Sequence, residues 1–273
     1  MRFIKMQGTG NDYIYIDCFQ ESVSAPEQLA VELCRLHFGV GADGIILIEP
    51  SKEADCKMKM YNADGSEGMM CGNGIRCVGK YVYEYGIVPK HHIMVETMSG
   101  MKELYLETAG DCVTSVTVNM GHPILKAAIS MTEKGIPLVI HPVSMGNPHG
   151  VIWVTDTECF PVEALGPVLE HASVFPNGCN IEFAHILSRS RVRMRVWERG
   201  SQETLSCGSG ACAVFAAAYA QGLVKEEITV ELAGGKLYIC TPDAGETVFL
   251  KGAAEVVFEG SYQGKRSVSS VSF

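Results

Sequence analysis

At 273 residues, the chain is long enough for one large domain or two ordinary ones, and its 47% apolar and 19% charged residues are typical of a well-buried globular protein. A net charge of −9 disfavours nucleic acid as a partner, because a phosphate-binding surface needs an excess of basic residues. The longest nearly apolar run, at 211–220, is too short to cross a bilayer, and the N-terminus lacks the apolar core of a signal peptide, so we expect a cytoplasmic protein without membrane contact.

The first part of the chain carries strand and helix patterns in turn. An apolar strand pattern, "YIYID", follows Gly10 and Asn11, and the periodicity of "PEQLAVELCRLHFG" predicts a helix over 26–39. The glycine motif "GVGADG" comes next, but the segment after it, "IILIEP", is a strand pattern. A dinucleotide-binding loop needs a helix at that point, so we expect no dinucleotide.

A second helical pattern follows Cys71 in "CGNGIRCVGKYVYEYG", and a third follows Cys207 in "CGSGACAVFAAAYAQG". When the chain is laid on itself at the offset of 136 residues between these cysteines, "MKMYN" also pairs with "MRVWE", and Asn11 pairs with Asn147. One constant offset across three separate motifs indicates two homologous halves. Further strand patterns lie at 44–50, 113–120, 191–198 and 247–252.

Many strands with few helices predict an α+β fold. We expect two pseudo-symmetric domains, each a curved, mostly antiparallel sheet wrapped around a central helix, with the active site in the cleft between them. We place the N-terminal domain at 1–113, completed by the C-terminal segment 256–273, and the C-terminal domain at 114–255. Each domain then carries one of the two repeated cysteines.

The sequence contains eleven cysteines but no Cys-x-x-Cys or His-Glu-x-x-His motif, so we predict no metal site. Most of these cysteines lie among apolar residues, as small buried side chains do. Cys71 and Cys207 each precede Gly-x-Gly at a helix start, where the free N–H groups and the dipole favour an anion and are expected to lower the pKa of the thiol. Either cysteine alone is better explained as a buried residue at an ordinary helix start, but the pair is not.

Two thiols on opposite sides of one cleft suit the inversion of a stereocentre next to a carboxylate. One cysteine, as thiolate, removes the α-proton, and the other, as thiol, donates a proton to the opposite face. The two helix starts stabilise the charge that develops on the carboxylate. This chemistry needs no cofactor.

The segments "YNADGSEGMMCGNGIRC" and "WERGSQETLSCGSGACA", together with "KMQGTGNDYIYID" and "MGNPHG", resemble diaminopimelate epimerase over nearly the whole chain. The resemblance implies a pyridoxal-independent isomerase that interconverts LL- and meso-2,6-diaminopimelate by a two-base 1,1-proton transfer, in lysine and peptidoglycan precursor biosynthesis. It also implies diaminopimelate as the small-molecule partner and a homodimer as the assembly.

Carried over by position, the resemblance implies that Cys71 and Cys207 are the acid/base pair and that His149 and Glu198 tune their pKa values. Helix-start amides would hold the reacting carboxylate, at Gly72, Asn73, Gly208 and Ser209. The remainder of the substrate would be held by Asn11, Asn62, Asn147, Asn180, Glu198 and Arg199.

Simpler alternatives remain for several of these assignments. Asparagines beside glycine are typical turn residues, and a local ion pair with Glu198 would explain Arg199. A racemase of another amino acid on the same fold is a rival function, although the polar residues for a distal amino-acid end disfavour it. A disulfide between the two repeated cysteines is a second rival.

Three positions depart from the usual family residues: Gln7, Thr9 and Gln202. Of these, Gln202 lies closest to the second cysteine along the chain, so an effect on specificity is expected there first. The sequence does not assign either cysteine to a particular stereoisomer.

Overall fold

A computed structural model describes residues 1–264, which contain nineteen strands and four helices. The strands that start before residue 130 are β1 (Arg2–Gly8), β2 (Asn11–Asp17), β3 (Gly44–Glu49), β4 (Cys56–Asn62), β5 (Glu67–Gly68), β6 (His92–Thr97), β7 (Gly100–Ala109), β8 (Cys112–Gly121), β9 (Ile124–Leu125) and β10 (Ile129–Glu133). The later strands are β11 (Ile136–Ser144), β12 (Pro148–Trp153), β13 (Asn180–Ser188), β14 (Arg191–Glu198), β15 (Gln202–Thr204), β16 (Glu227–Leu232), β17 (Gly235–Cys240), β18 (Val248–Gly252) and β19 (Glu255–Ser261). The helices are α1 (Pro26–Cys34), α2 (Gly72–Glu84), α3 (Val162–Glu170) and α4 (Gly208–Ala220). None of these four helices is long and apolar enough to span a membrane.

The repeat seen in the sequence is present in the fold. Helices α3 and α4 have the same lengths as α1 and α2 and begin 136 residues after them. The parallel pairings β2–β3 and β4–β6 recur as β12–β13 and β14–β16, and the other strand pairings within residues 1–264 are antiparallel. The predicted α+β fold of two similar, mostly antiparallel halves is confirmed.

Each half packs one helix inside its sheet. Helix α2 lies against β1, β2, β7 and β8, and α4 lies against β11, β12, β13, β17 and β18. Ten of the 13 residues are buried in both helices. A helix buried on most sides exposes chiefly its ends, so the chemistry of α2 and α4 is concentrated where they begin.

The other two helices cover the opposite faces of the sheets, α1 on β3 and β4, and α3 on β13 and β14. The helix predicted over 26–39 is too long, because α1 ends at Cys34. Beyond it, the N–H groups of Val40 and Gly41 both donate to the carbonyl of Leu33, at 2.8 and 2.9 Å, so the chain folds back on the last turn. A Cβ on Gly39 would lie 2.4 Å from that carbonyl oxygen, so glycine is required for the return.

Helix α3 was not expected from its own sequence pattern. Its sequence, VEALGPVLE, includes Gly166 and Pro167, and both residue types weaken a helical pattern. The glycine is a packing requirement, because a Cβ at Gly166 would lie 2.4 Å from the indole of Trp197. The helix nevertheless forms 136 residues after α1, at the position that the repeat predicts.

Two strands tie the halves together. Strand β8 pairs with β7 and also with β18, and β19 returns from the end of the second half to pair with β1. The boundary predicted between 113 and 114 therefore falls inside β8, and the division into domains stays a prediction. Of the segment 256–273, the part up to Ser261 lies in β19, while residues 265–273 are outside the described part of the chain.

Candidate active site

Cys71 and Cys207 are the N-cap residues of α2 and α4. Both have an extended backbone, with φ and ψ of −120° and 122° for the first and −125° and 111° for the second. Each sulfur accepts a hydrogen bond from the N–H group three residues on, from Gly74 at 3.3 Å and from Gly210 at 3.4 Å. The sulfur thus takes the place of the Ser or Asp oxygen that usually caps a helix.

The two helix starts lie against each other. A Cβ on Gly208 would lie 3.7 Å from the Cα of Gly72 and 3.4 Å from Oδ1 of Asn73. The Asn73 side-chain amide also donates to the carbonyl of Ser206, at 3.3 Å, which joins the two halves at this point. Two helix N-termini, each with a partial positive charge, therefore meet at one place, as the repeat predicts.

A buried arginine lies beneath these helix starts. Arg76 is fully buried in α2, and its guanidinium donates to the carbonyl of Gly72 at 3.2 Å and to Oδ1 of Asn73 at 2.9 Å. It also donates to the Thr9 hydroxyl at 2.8 Å and to the Ala253 carbonyl at 3.1 Å. No carboxylate within residues 1–264 forms an ion pair with Arg76, so its charge adds to the positive potential of the two helix ends.

The Cys71 thiol lies between an asparagine and a tyrosine. Its S–H donates to Oδ1 of Asn11 at 3.1 Å, and the Asn11 amide donates in turn to Asp43 at 2.6 Å. Burial raises the pKa of Cys71 above its ordinary value, while hydrogen bonds from the Gly74 N–H group and from the Tyr13 hydroxyl oppose the increase. Tyr13 is 136 residues before His149 and occupies the equivalent position in the first half.

The Cys207 thiol is closer to negative charge. Burial raises its pKa well above the ordinary value, and the carboxylates of Glu198 and Glu182 raise it further. The hydroxyl of Ser209, 3.5 Å from the sulfur, and the N–H group of Gly210 act in the opposite direction. The two thiols thus share a backbone geometry but differ in the polar groups around them.

The expectation that the helix starts lower the pKa of both thiols is wrong in its net direction. The helix-start N–H groups do favour the thiolates, but removal of the sulfur atoms from water has the larger effect. In the free protein, both cysteines therefore favour the thiol form.

Glu198 is the acid with the largest effect on the pKa of Cys207. Its Oε1 accepts a hydrogen bond from the Thr204 hydroxyl at 2.5 Å. Burial raises the pKa of Glu198, while its hydrogen bonds with Thr204 and Cys207 oppose the increase. A carboxylate in contact with the thiol is placed to exchange a proton with it.

His149 begins a row of hydrogen bonds that reaches the same thiol. Its Nδ1 lies 2.6 Å from a carboxylate oxygen of Glu182, and its Nε2 lies 3.1 Å from Oδ1 of Asn147. The Asn147 amide donates to the Ser209 hydroxyl at 3.3 Å. His149 therefore reaches Cys207 through two intermediate side chains and does not contact it directly.

Arg199 and Asn180 are joined to each other. Oδ1 of Asn180 accepts the backbone N–H of Arg199 at 2.8 Å, and Asn180 lies opposite His149 in the β12–β13 pairing. The Arg199 guanidinium donates to the carbonyl of Asn177 at 3.0 Å, and in the described part of the chain it forms no ion pair with Glu198. The simple local ion pair does not explain this arginine, whose exposed side chain stays available to an anion.

Asn62 is the candidate with the weakest connection to the cluster. Its amide donates to the Ser66 hydroxyl at 3.0 Å, and its backbone lies opposite Gly44. Gly44 in turn lies opposite Tyr13, and a Cβ on Gly44 would lie 2.9 Å from the tyrosine ring. Asn62 is thus two strands away from the Cys71 environment.

The three departures from the family pattern have separate structural roles. The Gln7 side chain accepts a hydrogen bond from the Gly10 N–H group at 2.8 Å, and the Thr9 hydroxyl accepts one from the Arg76 guanidinium. Gln202 has a left-handed backbone, with φ of 63°, and lies opposite Glu198 in the β14–β15 pairing. Its effect on specificity stays a prediction.

Three residues of the site were not expected from the sequence: Tyr13, Arg76 and Glu182. The repeat could have indicated Tyr13, because it is the mate of His149. A charged residue inside the apolar strand "NIEF" was the available signal for Glu182. Arg76 lies within a helical pattern, where an arginine normally faces solvent.

All eleven cysteines are free thiols in the structure, including Cys71 and Cys207, so the disulfide alternative receives no support. A cavity of about 1250 Å³ opens elsewhere, at the C-terminal end of α4, and contains none of the candidate residues. The two cysteines and the helix starts, rather than this cavity, define the candidate active site.

The comparison with known proteins identifies the family. A family profile described as "Diaminopimelate epimerase" matches residues 3–126 and 142–257. The chain is 46% identical to a diaminopimelate epimerase of Acetivibrio thermocellus, over 95% of this chain and 98% of that protein. It is also 46% identical to one of Bacteroides thetaiotaomicron, over 97% and 98%, and 43% identical to one of Methanococcus maripaludis, over 95% and 99%.

Solved structures of lower similarity share the fold. A probable proline racemase of Agrobacterium radiobacter superposes with a TM-score of 0.76 at 14% identity, over 97% of this chain and 93% of that chain. A hydroxyproline epimerase of Agrobacterium vitis gives 0.74 at 17% identity, over 95% and 91%. At these identities the likeness shows the fold alone.

The raised pKa values of Cys71 and Cys207 can be tested by alkylation. We expect iodoacetamide to modify each thiol with a rate midpoint at a higher pH than that of a free cysteine peptide, because burial disfavours the thiolate. Peptide mass spectrometry across a pH series measures each cysteine separately, and the free peptide is the reference. A midpoint below that of the peptide would show that the helix starts outweigh burial.

Proposed function

The chain belongs to the diaminopimelate epimerase family, and we propose that it interconverts LL- and meso-2,6-diaminopimelate without pyridoxal phosphate, using Cys71 and Cys207 as its two bases. The observation that carries the assignment of the bases is the meeting of two thiol-capped helix starts at one point. A substrate carboxylate bound there accepts hydrogen bonds from both helix starts, and the adjacent α-carbon lies between the two sulfur atoms.

The reaction moves one proton off the α-carbon and another onto it. One cysteine, as thiolate, takes the α-proton, and the electron pair delocalises into the carboxylate. The other cysteine, as thiol, then gives its proton to the opposite face of the α-carbon, so that the configuration inverts and the thiol and thiolate have exchanged places. No atom other than hydrogen is gained or lost.

The developing negative charge on the carboxylate is stabilised by groups fixed before the substrate arrives. The free N–H groups at Gly72, Asn73, Gly208 and Ser209 point out of the helix starts. Arg76 adds a buried positive charge below them and holds Asn73 in place. Preorganised donors of this kind are usually a large contribution to catalysis.

Formation of the thiolate needs a proton acceptor, because burial favours the thiols. Glu198 is placed to take the proton of Cys207, since burial makes this carboxylate a stronger base than usual. His149 acts on the same thiol through Asn147 and Ser209. These contacts support the assignment of Glu198 and His149 as residues that tune the pKa of the cysteines.

The distal amino-acid end of the substrate is assigned to the remaining polar residues. Arg199 is exposed, and its guanidinium can form a bidentate pair with a second carboxylate. Asparagine side chains bind ammonium and carboxylate groups equally well, because they carry both a donor and an acceptor. The asparagines assigned to this end are Asn62 and Asn180, whereas Asn11 and Asn147, which bond with Cys71 and Ser209, are assigned to the part of the substrate nearer the reacting carbon.

The two-base reaction predicts loss of activity from either cysteine. Cys71→Ala and Cys207→Ala should each reduce epimerisation by at least about 10²–10⁴-fold, the range for general acid–base groups. The measurement is conversion of LL- to meso-diaminopimelate, with uptake of solvent deuterium at the α-carbon. Cys112→Ala, at an exposed cysteine of β8, is the matched control and should keep full activity. A fully active variant at position 71 or 207 would sink the two-base mechanism.

Arg199 should distinguish diaminopimelate from amino acids with one carboxylate. We expect Arg199→Met to lower kcat/KM for diaminopimelate about 10- to 100-fold, because it removes a charge-assisted hydrogen bond to the distal carboxylate. Arg189→Met, at another exposed arginine, is the control. If the wild-type protein turned over a monocarboxylate amino acid and left diaminopimelate unchanged, the racemase alternative would replace this assignment.

We further infer that the protein is a cytoplasmic homodimer. Among the strands of residues 1–264, β19 pairs with β1 alone, and its Val256, Val257 and Phe258 side chains are 40–54% exposed. An open strand edge with apolar side chains favours pairing with another chain.

The dimer is tested by sedimentation. Val257→Lys should shift the wild-type dimer toward the monomer, because a charge on the apolar edge opposes association. Tyr238→Lys, at an exposed residue of β17, is the control and should leave the dimer intact. A monomeric wild-type protein at micromolar concentration would contradict the inference.

A further inference from the structure

A row of hydrogen bonds connects a buried carboxylate with the Cys207 thiol. It runs from Glu182 to His149 at 2.6 Å, from His149 to Asn147 at 3.1 Å, from Asn147 to Ser209 at 3.3 Å and from Ser209 to the sulfur at 3.5 Å. The row passes from β13 to the beginning of β12 and from there to the start of α4. The Glu182 side chain at the other end of this row is fully buried.

The carboxylate of Glu182 lies in an unusual place. Both Glu182 and His149 have fully buried side chains, and Oε2 of Glu182 has no hydrogen-bond partner among residues 1–264. The other ionisable groups that act on this cluster are Glu198 of β14, Cys207 at the N-cap of α4 and Cys179, the residue before β13, on which Arg199 also acts. Within residues 1–264, His149 is the only basic group that forms an ion pair with Glu182, at 2.6 Å, and a buried carboxylate needs such a partner.

The first half shows that the fold does not need a carboxylate here. The repeat mate of Glu182 is Ile46, and the two side chains fill the same space. A Cβ on Gly74 would lie 2.7 Å from Cδ1 of Ile46, and a Cβ on Gly210 would lie 2.7 Å from Oε1 of Glu182. Since an isoleucine suffices for packing in one half, the glutamate of the other half has another purpose.

The protonation of His149 decides the direction of the whole row. With both ring nitrogens protonated, Nδ1–H donates to Glu182 and Nε2–H donates to the Asn147 carbonyl, so the Asn147 amide donates to Ser209. The Ser209 oxygen then acts as an acceptor, and its hydrogen is free to donate to Cys207.

With a neutral imidazole whose hydrogen stays on Nδ1, where an ionised Glu182 accepts it, the row reverses. Nε2 becomes an acceptor, the Asn147 amide turns toward it, and the Ser209 hydroxyl donates to the Asn147 carbonyl. The Cys207 sulfur then loses its hydroxyl donor, and its thiolate loses a stabilising hydrogen bond.

We propose that Glu182 is a positioning residue for Cys207: it keeps His149 as an imidazolium and so, through Asn147 and Ser209, directs a hydroxyl hydrogen at the sulfur. The inference deepens the proposed function, because it takes Cys207 as one of the two bases. It assigns no direct contact with substrate to Glu182.

Glu182→Gln tests the proposal, because it keeps the shape of the side chain and removes its charge. Loss of the carboxylate also removes the repulsion that raises the pKa of Cys207, but loss of the imidazolium positive charge beside it offsets that change. The lost hydroxyl donor then decides the sign, and we expect the alkylation midpoint of Cys207 to rise by about one pH unit, the size of one hydrogen bond to a charged group, and that of Cys71 to stay unchanged. A carboxylate that acted on Cys207 only by repulsion would give the opposite sign, since its removal would lower the midpoint. A lower or unchanged midpoint therefore overturns the proposal.

Matched variants separate this effect from general disturbance. Ser209→Ala should produce the same increase as Glu182→Gln, and the double variant should add nothing further, because both changes interrupt one row. Ile46→Val, at the repeat mate, should move neither midpoint. An additive double variant would show that Glu182 and Ser209 act on Cys207 separately, which would also overturn the proposal.

¹⁵N NMR of the wild-type protein with ¹⁵N-labelled histidine tests the proposal without requiring that any variant folds. His149 should show two protonated ring nitrogens at neutral pH, and a neutral ring there would refute the inference. Neither measurement uses diaminopimelate. If the epimerase assignment is wrong, the protein does not convert diaminopimelate but Glu182→Gln still shifts the Cys207 midpoint. If the Glu182 assignment is wrong, the protein converts diaminopimelate but Glu182→Gln does not raise that midpoint.

Discussion

The close contact between the two helix starts is the constraint on which the rest of the structure depends. A Cβ on Gly72 would lie 3.9 Å from the Cα of Gly208, and a Cβ on Gly208 would lie 3.7 Å from the Cα of Gly72, so the two helix starts are in van der Waals contact. Two partial positive charges at this distance repel, and the buried Arg76 increases the positive potential. An arrangement of this kind is stabilised when an anion binds between the helices, so the fold is organised around a carboxylate before any substrate arrives.

The balance between burial and helix-start hydrogen bonds sets the chemistry of the thiols. A cysteine with a strongly lowered pKa would be a weak base and would rarely hold the proton that the reaction needs. Burial opposes the helix-start donors at both Cys71 and Cys207, and the net result favours the thiol. Each sulfur can then act as acid in one direction and as base in the other, which suits a reaction in which the two exchange roles.

The sequence predicts what repeats and little of what does not. The constant offset located α2, α4 and both cysteines, and it would also have located α3, whose own pattern is weakened by Gly166 and Pro167. The end of α1 depends on the backbone return at Gly39, which no periodicity encodes. Arg76 and the net pKa direction of the thiols depend on burial in three dimensions, and a linear pattern does not contain that burial.

The two halves are alike in backbone and different in chemistry. In the first half, Tyr13 interacts with Cys71 and Ile46 packs against the helix start. In the second half, His149 takes the place of Tyr13 and Glu182 takes the place of Ile46. This difference cannot favour one product, because the equilibrium between the two stereoisomers is a property of the substrate and fixes the ratio of kcat/KM in the two directions. What it can set is which of the two thiols loses its proton more readily before substrate binds. Both stereoisomers are then converted through the same pair of protonation states, and the asymmetry determines how much of the free protein is ready for each.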